Sequence, residues 1–319
     1  MAAVAVVGGG IAGLTAAYRL KQRGIRVVVY EASGRVGGVI LTERSDGYLA
    51  DLGPNSIMTP TADVRSLFAQ LGLEGSVVPA SAAARKRFVV RKGKLVPLPM
   101  SPPQLLTTPL LSARAKLSVL LEPLVERGDS PMEESIAGFV RRRFSQEVLD
   151  YVANPFVAGV YAGDPEQLSV RHAMPKLYGL ERSHGSVLKA LAGTRRARRE
   201  KMEAGEKPPA PLVSFKEGMA QLPEALAREL HAEVRLDAPV TQIRLGPLGW
   251  TVGAAFQASE LYDGVVLTAP VHRTDEMDLD FPGGDRFKTL GSISYPSVAP
   301  SKPEPPEVER EISPYCDSA

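Results

Sequence analysis

The amino-acid sequence predicts an α/β protein: a doubly wound nucleotide-binding domain interrupted by a largely helical insert. Three observations carry this. Val4–Val7 is an all-apolar run ending in glycines, Ile11–Arg23 has helical spacing closed by Gly24, and Ile25–Tyr30 is a second apolar run. Strand, glycine turn, helix and strand within about 30 residues open a doubly wound sheet. Residues 104–203 then read as mostly helical, and strand-like runs return at residue 212.

Taken in order, Ala62–Leu71 reads as a helix, and Arg87–Val90 with Lys94–Val96 as a hairpin about Lys92-Gly93. Arg141–Arg143 and Arg195–Arg199 read as exposed helix faces, and Gly205–Pro211 has loop composition. Strands are expected at Leu212–Phe215, Val234–Leu236, Val240–Leu245, Trp250–Val252 and Gly264–Leu267, with a helix over Met219–His231. Prolines 300, 303, 305, 306 and 314 leave 300–319 as a disordered tail. The expected domains are therefore 1–85 with 212–299, an insert over 86–211, and the tail.

Composition excludes several classes. A net charge of +2 gives no general attraction to nucleic acid. His172, His184, His231 and His272 are too scattered for a metal site, and Cys316, the single cysteine, forbids an intrachain disulfide. That suits a reducing, cytoplasmic setting. The N-terminus lacks a basic signal-peptide region, and no apolar run reaches the ~20 residues that span a bilayer. Membrane contact is expected to be peripheral or nil.

Gly8-Gly9-Gly10-Ile11-Ala12-Gly13 satisfies G-x-G-x-x-G between strand and helix, and Glu31 ends the next strand at the spacing of a ribose-binding acid. Gly8 permits the tight turn, Gly10 lets backbone approach a pyrophosphate, and Gly13 allows close helix–strand packing. The helix N-terminus, at Ile11 and Ala12, offers N–H groups to negative charge. An acid at Glu31 disfavours a 2′-phosphate, which argues against NADP. These residues leave NAD and FAD open.

The next segment adds Arg35 and the pair Gly37-Gly38 after Glu31. With these residues the sequence resembles the flavin-containing amine oxidase and desaturase superfamily, which implies FAD and places Arg35 by its phosphates. Asp51-Leu-Gly-Pro-Asn-Ser56 resembles that superfamily's loop towards the flavin ring, implicating Gly53, Pro54, Asn55 and Ser56. Ala238–Ile243 resembles the strand whose Val240 backbone meets adenine, and Tyr262–Pro270 the strand ending near the cofactor at Ala269.

Within the superfamily, the run Asn154–Ser169, with His184-Gly-Ser186 and Ser214–Met219, resembles the protoporphyrinogen and coproporphyrinogen oxidases over residues 4–299. The resemblance implies a Rossmann-like FAD-binding domain with a helical insert that faces substrate or membrane. It also implies a porphyrinogen substrate: Arg87 meets a propionate, Gly159 and Gly163 let backbone approach a flat ligand, and Tyr161 supplies an aromatic wall. Six electrons leave the substrate in three two-electron steps, by hydride transfer to flavin N5 and reoxidation by dioxygen. The cofactor carries that chemistry, so no catalytic triad, general base or metal is required.

Alternatives stay open. Another amine oxidase or desaturase shares the first motifs, and a non-catalytic fragment is a reading of a different class. Protoporphyrinogen and coproporphyrinogen are not separated. Family members continue beyond the equivalent of residue 299 into a closing FAD-binding motif, so weak or absent activity is the expectation for this chain alone.

Overall fold

The computed structural model describes residues 2–58, 60–81, 87–99, 101–128, 133–191, 193, 212–293 and 295. The expected tail 300–319, the Arg195–Arg199 cluster and the Gly205–Pro211 loop lie outside the described residues. The chain forms two compact units, Met1–Pro79 with Ala210–Ala319, and Ala80–Pro209.

The first unit is built on a four-stranded parallel sheet. Strand β1 (Ala3–Val7) pairs on one side with β2 (Arg26–Tyr30) and on the other with Gly264–Leu267, and Val234–Arg235 flanks β2. Alternation along β1 and β2 explains why both read as uninterrupted apolar runs. Val6, Val27 and Val29 pack against Leu14 and Ala17 of helix α1 (Ile11–Gln22) and Leu226 and Leu230 of the helix Gln221–Leu230. Ala5, Val7, Val28 and Tyr30 face the other way, onto Val240, Ile243, Val252 and Tyr262 of a second sheet. Burial on both faces stabilises this layer at about 25 cal/mol per Å² of apolar surface removed from water.

That second sheet has the order Glu260–Tyr262, Gly249–Ala254, Val240–Gly246, Asp278–Asp280. Its first and last strands carry no strand signal strong enough to be expected from sequence, because each is three residues long and bounded by charge. A third sheet, Ile57–Met58, Leu212–Phe215 and Val77–Pro79, packs Val213 and Phe215 against Phe68 of the helix Ala62–Gln70. The antiparallel pair Thr42–Ser45 and Tyr48–Asp51 turns at Asp46-Gly47, both at positive φ, 51° and 83°. Asp-Gly at such a turn was a legible hairpin signal.

The described residues of the second unit are mostly helical. Ala113–Leu121, Ile136–Arg143, Asn154–Tyr161 and Pro175–His184 are its longer helices. Leu110, Val119, Ile136, Phe139, Val157 and Val170 fill its core. The expected hairpin is present as Phe88–Arg91 with Lys94–Pro97, closed by Lys92-Gly93 at φ 52° and 72°. A π-helical turn, Leu149–Ala153, runs into Asn154–Tyr161. Such turns recur at functional sites.

One expectation is corrected. Arg141–Arg143 is not an exposed face: Arg141 is exposed, Arg142 pairs with Glu134 and Glu181, and Arg143 is wholly buried against Glu122 and Glu181. The buried stripe of this helix runs Ile136, Ala137, Phe139, Val140 and on to Arg143, so helical spacing and not charge decides its place.

Candidate dinucleotide and substrate sites

The first unit nests one glycine turn upon another. Gly8 has φ 111° and its N–H donates to Tyr30 O at 2.8 Å, so the chain leaves β1 in a conformation that L side chains rarely adopt. A Cβ on Gly13 would collide with the Gly8 carbonyl oxygen. Helix α1 therefore starts as close to β1 as backbone allows. The second turn lies on the first: Gly37 N–H donates to Gly9 O at 2.9 Å, and a Cβ on Gly38 would come within 3.3 Å of Gly10 Cα.

The Gly10 side of this arrangement is open. A Cβ on Gly10 meets no atom within 4 Å, and no side chain caps the helix there. Ile11 N–H takes part in the bridge between Gly10 and Gly37, and the first-turn amides of Ala12 and Gly13 have no acceptor among the described residues and face the open side. Glu31 closes the rim. Its Oε2 accepts from Gly9 N–H at 2.7 Å, and its Oε1 from Ser33 N–H at 2.9 Å and Ser33 Oγ at 2.7 Å.

Arg35 takes a place the sequence did not foretell. Its guanidinium donates to the carbonyls of Val36, Gly38 and Ile40, at 3.2, 2.8 and 3.3 Å, and so holds its own loop in shape. Next comes the 51–56 loop, where Leu52 N–H donates to Leu41 O at 2.8 Å. A Cβ on Gly53 would strike the Val39 carbonyl. Pro54 and Asn55 are exposed, and Ser56 Oγ donates to Asn55 at 3.0 Å.

Ala269 follows Gly264–Leu267 and lies against Gly8: a Cβ on Gly8 would come within 3.2 Å of Ala269 N and 2.8 Å of Thr268 Oγ1. Thr268 Oγ1 itself donates to Val7 O at 3.0 Å. Val240 is buried where the ladder slips at Thr241, and two residues before it Ala238 N–H donates to Glu31 O at 2.8 Å. Gly8, Gly10, Gly13, Glu31, Gly37, Gly38 and Ala269 thus lie about one pair of glycine turns, while Pro54, Asn55 and Ser56 make no hydrogen bond to them. Gly9 and Ser33 also touch Glu31, Thr268 touches Gly8, and a short side chain or bare amide gives no spacing signal that would single them out.

Two further residues clamp the unit's second motif. Asp51 Oδ1 accepts from Met219 N–H at 3.0 Å and from Thr42 Oγ1 at 2.6 Å, while Thr42 Oγ1 accepts from Ala220 N–H at 3.0 Å. They tie the turn that precedes the helix Gln221–Leu230 to the 42–51 hairpin. Gly218, at φ 85°, leaves no room for a Cβ beside Thr42.

Behind the rim, Arg235 donates to Glu260 at 2.7 and 3.2 Å and to Tyr30 Oη at 3.2 Å. Tyr30 and Tyr262 hydroxyls are 2.7 Å apart, and Tyr262 donates to Glu260 at 2.9 Å. The Arg235 guanidinium, through its hydrogen bond, holds Glu260 below the usual carboxylate range, and burial pushes Tyr262 above the usual phenol range. Arg235 O in turn accepts from Glu31 N–H at 2.9 Å, which anchors the rim acid at its backbone.

In the second unit, Arg87, Phe88, Val89, Leu98, Phe156 and Gly159 are among the residues lining a cavity of about 290 Å³. The Arg87 guanidinium lies 5.8 Å from the Phe156 ring centre, and a Cβ on Gly159 meets nothing within 4 Å. Tyr161 and Gly163 do not line it. Tyr161 Oη donates to Ala173 O at 2.6 Å, and a Cβ on Gly163 would crowd Leu168 at 2.9 Å. Among the described residues there is no cluster of metal ligands, and no helix is long and apolar enough to cross a membrane.

Residues 11–299 match the family described as flavin containing amine oxidoreductase. The chain belongs to this family. Its cofactor is accordingly a flavin, FAD, and the open Gly10 turn, the uncapped helix and the Glu31 carboxylate fit it. Protoporphyrinogen oxidase 2 of Arabidopsis thaliana is 37% identical over 92% of this chain and 62% of its own length. Coproporphyrinogen III oxidase of Staphylococcus aureus is 30% identical over 92% of this chain and 66% of its own length. The chain therefore spans a little under two thirds of these curated relatives. A crystal structure of an Exiguobacterium protein provisionally named a protoporphyrinogen oxidase superposes with TM-score 0.69 at 24% identity, over 86% of this chain and 61% of that one. Cyclohexylamine oxidase from Brevibacterium oxydans gives TM-score 0.61 at 20% identity, over 91% and 63%. The fold is that of the flavin amine oxidases, with mixed helices and sheets.

Proposed function

We propose that the chain is the FAD-binding and substrate-binding part of an enzyme that oxidises a porphyrinogen, protoporphyrinogen IX or coproporphyrinogen III, to the porphyrin in haem biosynthesis. In this reading residues 1–85 and 212–299 are a Rossmann-like FAD-binding domain, and 86–211 are a helical substrate domain. The similarity to protoporphyrinogen and coproporphyrinogen oxidases over nine tenths of the chain supports it. The observation that carries it is the cavity where Arg87 meets Gly159 and Phe156.

The chemistry assigns each residue a task. Bound FAD supplies a two-electron acceptor that dioxygen regenerates. Gly10 and the α1 amides hold its pyrophosphate, and Glu31 its adenosine ribose. Arg87, resting on the Phe156 face, pairs with a substrate propionate by charge-assisted hydrogen bonds. Gly159 leaves space for the edge of a planar ring. Pro155, Phe156 and Val160 exclude water on that side.

Localisation is proposed as cytoplasmic, with peripheral membrane contact through Leu117, Leu120, Leu121 and Leu124. Leu117, Leu120 and Leu121, in the last turns of the helix Ala113–Leu121, and Leu124 just beyond it are 55, 55, 47 and 79% exposed. Loss of vesicle co-sedimentation in Leu120→Glu/Leu124→Glu is the expected result, and unchanged sedimentation would remove the membrane assignment.

The functional reading is tested by anaerobic titration of the FAD-loaded chain with each porphyrinogen and with a primary amine, following the flavin absorbance. Bleaching by a porphyrinogen, and not by the amine, supports it. Bleaching by the amine alone would return the chain to the amine oxidases.

A further inference from the structure

We infer that Ser33 is the positioning residue for the ribose-binding carboxylate, an inference that rests on the FAD reading above. A carboxylate on a flexible side chain accepts from ribose hydroxyls with full strength only when its plane is fixed beforehand. Glu31 is fixed from two directions. Gly9 N–H holds Oε2 at 2.7 Å, and Ser33 holds Oε1 twice, through N–H at 2.9 Å and Oγ at 2.7 Å. The two oxygens offer about four acceptor positions, and three are filled. A 2′-hydroxyl can take the fourth without disturbing any of them.

Ser33 also ties this carboxylate to the next motif. Its Oγ lies 2.9 Å from the Arg35 carbonyl, and the Arg35 guanidinium closes the turn that rests on Gly9 and Gly10. The Ser33 hydroxyl thus stands between Glu31 Oε1 and the Arg35 carbonyl and leaves the open position on Oε2 to the ribose. A residue without a hydroxyl keeps only the backbone N–H contact to the acid, whereas threonine keeps the hydroxyl contact as well.

The test compares ligands that differ only in the contacted hydroxyl. ADP and 2′-deoxy-ADP are used to displace FAD from the full 319-residue chain, with flavin fluorescence as the readout, in wild type, Ser33→Ala, Ser33→Thr and Glu31→Gln. The expected result is a preference for ADP of about tenfold in wild type, about twofold in Ser33→Ala, and restored in Ser33→Thr. An undiminished preference in Ser33→Ala overturns the role of Ser33 while leaving FAD binding intact. Equal weakening of both ligands in Ser33→Ala marks a general structural effect and also overturns it. Equal affinities already in wild type, unaltered by Glu31→Gln, would remove Glu31 from the ribose site and with it that part of the FAD reading.

Discussion

The Arg143 guanidinium and the Glu122 carboxylate lie 3.3 Å apart with neither side chain exposed. Glu122 also accepts from Ser186 Oγ at 2.5 Å and from the amides of Val187 and Leu188 at 2.9 and 3.2 Å, while Arg143 donates to the carbonyls of Val125 and Gly185. The His184-Gly-Ser186 motif thereby has a physical role in this chain. Gly185, at φ 69°, ends one helix and offers its carbonyl to the arginine, and Ser186 begins the next on the carboxylate.

Removal of Arg143 leaves the Glu122 charge uncompensated in a dry site, whereas removal of Glu122 leaves Arg143 with Glu181 at 3.1 Å. Arg143→Met is expected to lower the unfolding free energy of this unit by about 3–5 kcal/mol, and Glu122→Gln by less, measured by urea denaturation. The double variant Glu122→Leu/Arg143→Met removes both charges and is expected to lose less than the sum of the two singles. Additive losses would show that the pair is not coupled.

The glycine turn gives a contrast between neighbouring positions. Gly13→Ala places a methyl group on the Gly8 carbonyl, so it is expected to lower the melting temperature as well as FAD affinity. Gly10→Ala projects into open space. It is expected to keep the melting temperature of the apo chain and to weaken FAD by about tenfold or more, because the methyl occupies the approach of the pyrophosphate. Equal behaviour of the two variants in calorimetry and fluorescence titration would argue against the open side of the turn as the binding face.

The cluster behind Glu31 makes stability depend on pH at both ends. Glu260 has its folded value depressed by the Arg235 hydrogen bond. Its contribution is present above an unfolded value of about 4.3 and is lost as pH falls through the folded one. With 38% of the Glu260 side chain exposed, the effect is expected to stay below about 1 kcal/mol and to disappear in Glu260→Gln. Tyr262 has its folded value raised by burial. Its contribution holds below an unfolded value of about 10 and is lost as pH rises beyond it, and Tyr262→Phe is expected to remove that alkaline loss. Denaturation midpoints across pH 3–11 (about this range spans both groups) check both signs.

Some of this was legible because it rests on backbone geometry that only certain residues permit. The first strand, helix α1 and the second strand follow from apolar alternation and from Gly8, Gly10 and Gly13, which the structure places at a positive φ, an open face and a close contact in turn. The two three-residue strands and the Asp51–Thr42 clamp were not legible. Their partners lie more than a hundred residues away for the clamp, at Met219 and Ala220, and tertiary hydrogen bonds of that span leave no periodicity. Arg143 shows the opposite case: helical spacing places it in the buried stripe with Ile136, Phe139 and Val140, whereas a run of three arginines reads as exposed. Tyr161 and Gly163 belong to the run that also holds Gly159, but Tyr161 lies two places along the helix on another face and Gly163 lies past the helix end at Ala162, φ 48°, so neither lines the cavity.

Arg87 offers the sharpest functional test. Its guanidinium stands over Phe156 at the mouth of a cavity with an apolar lining, so it is the one cation among the lining residues that can meet a propionate. Such a contact is made equally in the ground state and the transition state, because the carboxylate lies away from the methylene carbon that is oxidised. Arg87→Ala is therefore expected to raise KM for a porphyrinogen by about tenfold and to leave kcat within about twofold. Arg87→Lys keeps the charge but loses the bidentate fork and the stacked plane, so it is expected to recover only part of the loss. Steady-state kinetics on the FAD-loaded protein separate the two constants. A fall in kcat with KM unchanged would place Arg87 at the reacting carbon instead, and no change in either would move the substrate out of this cavity.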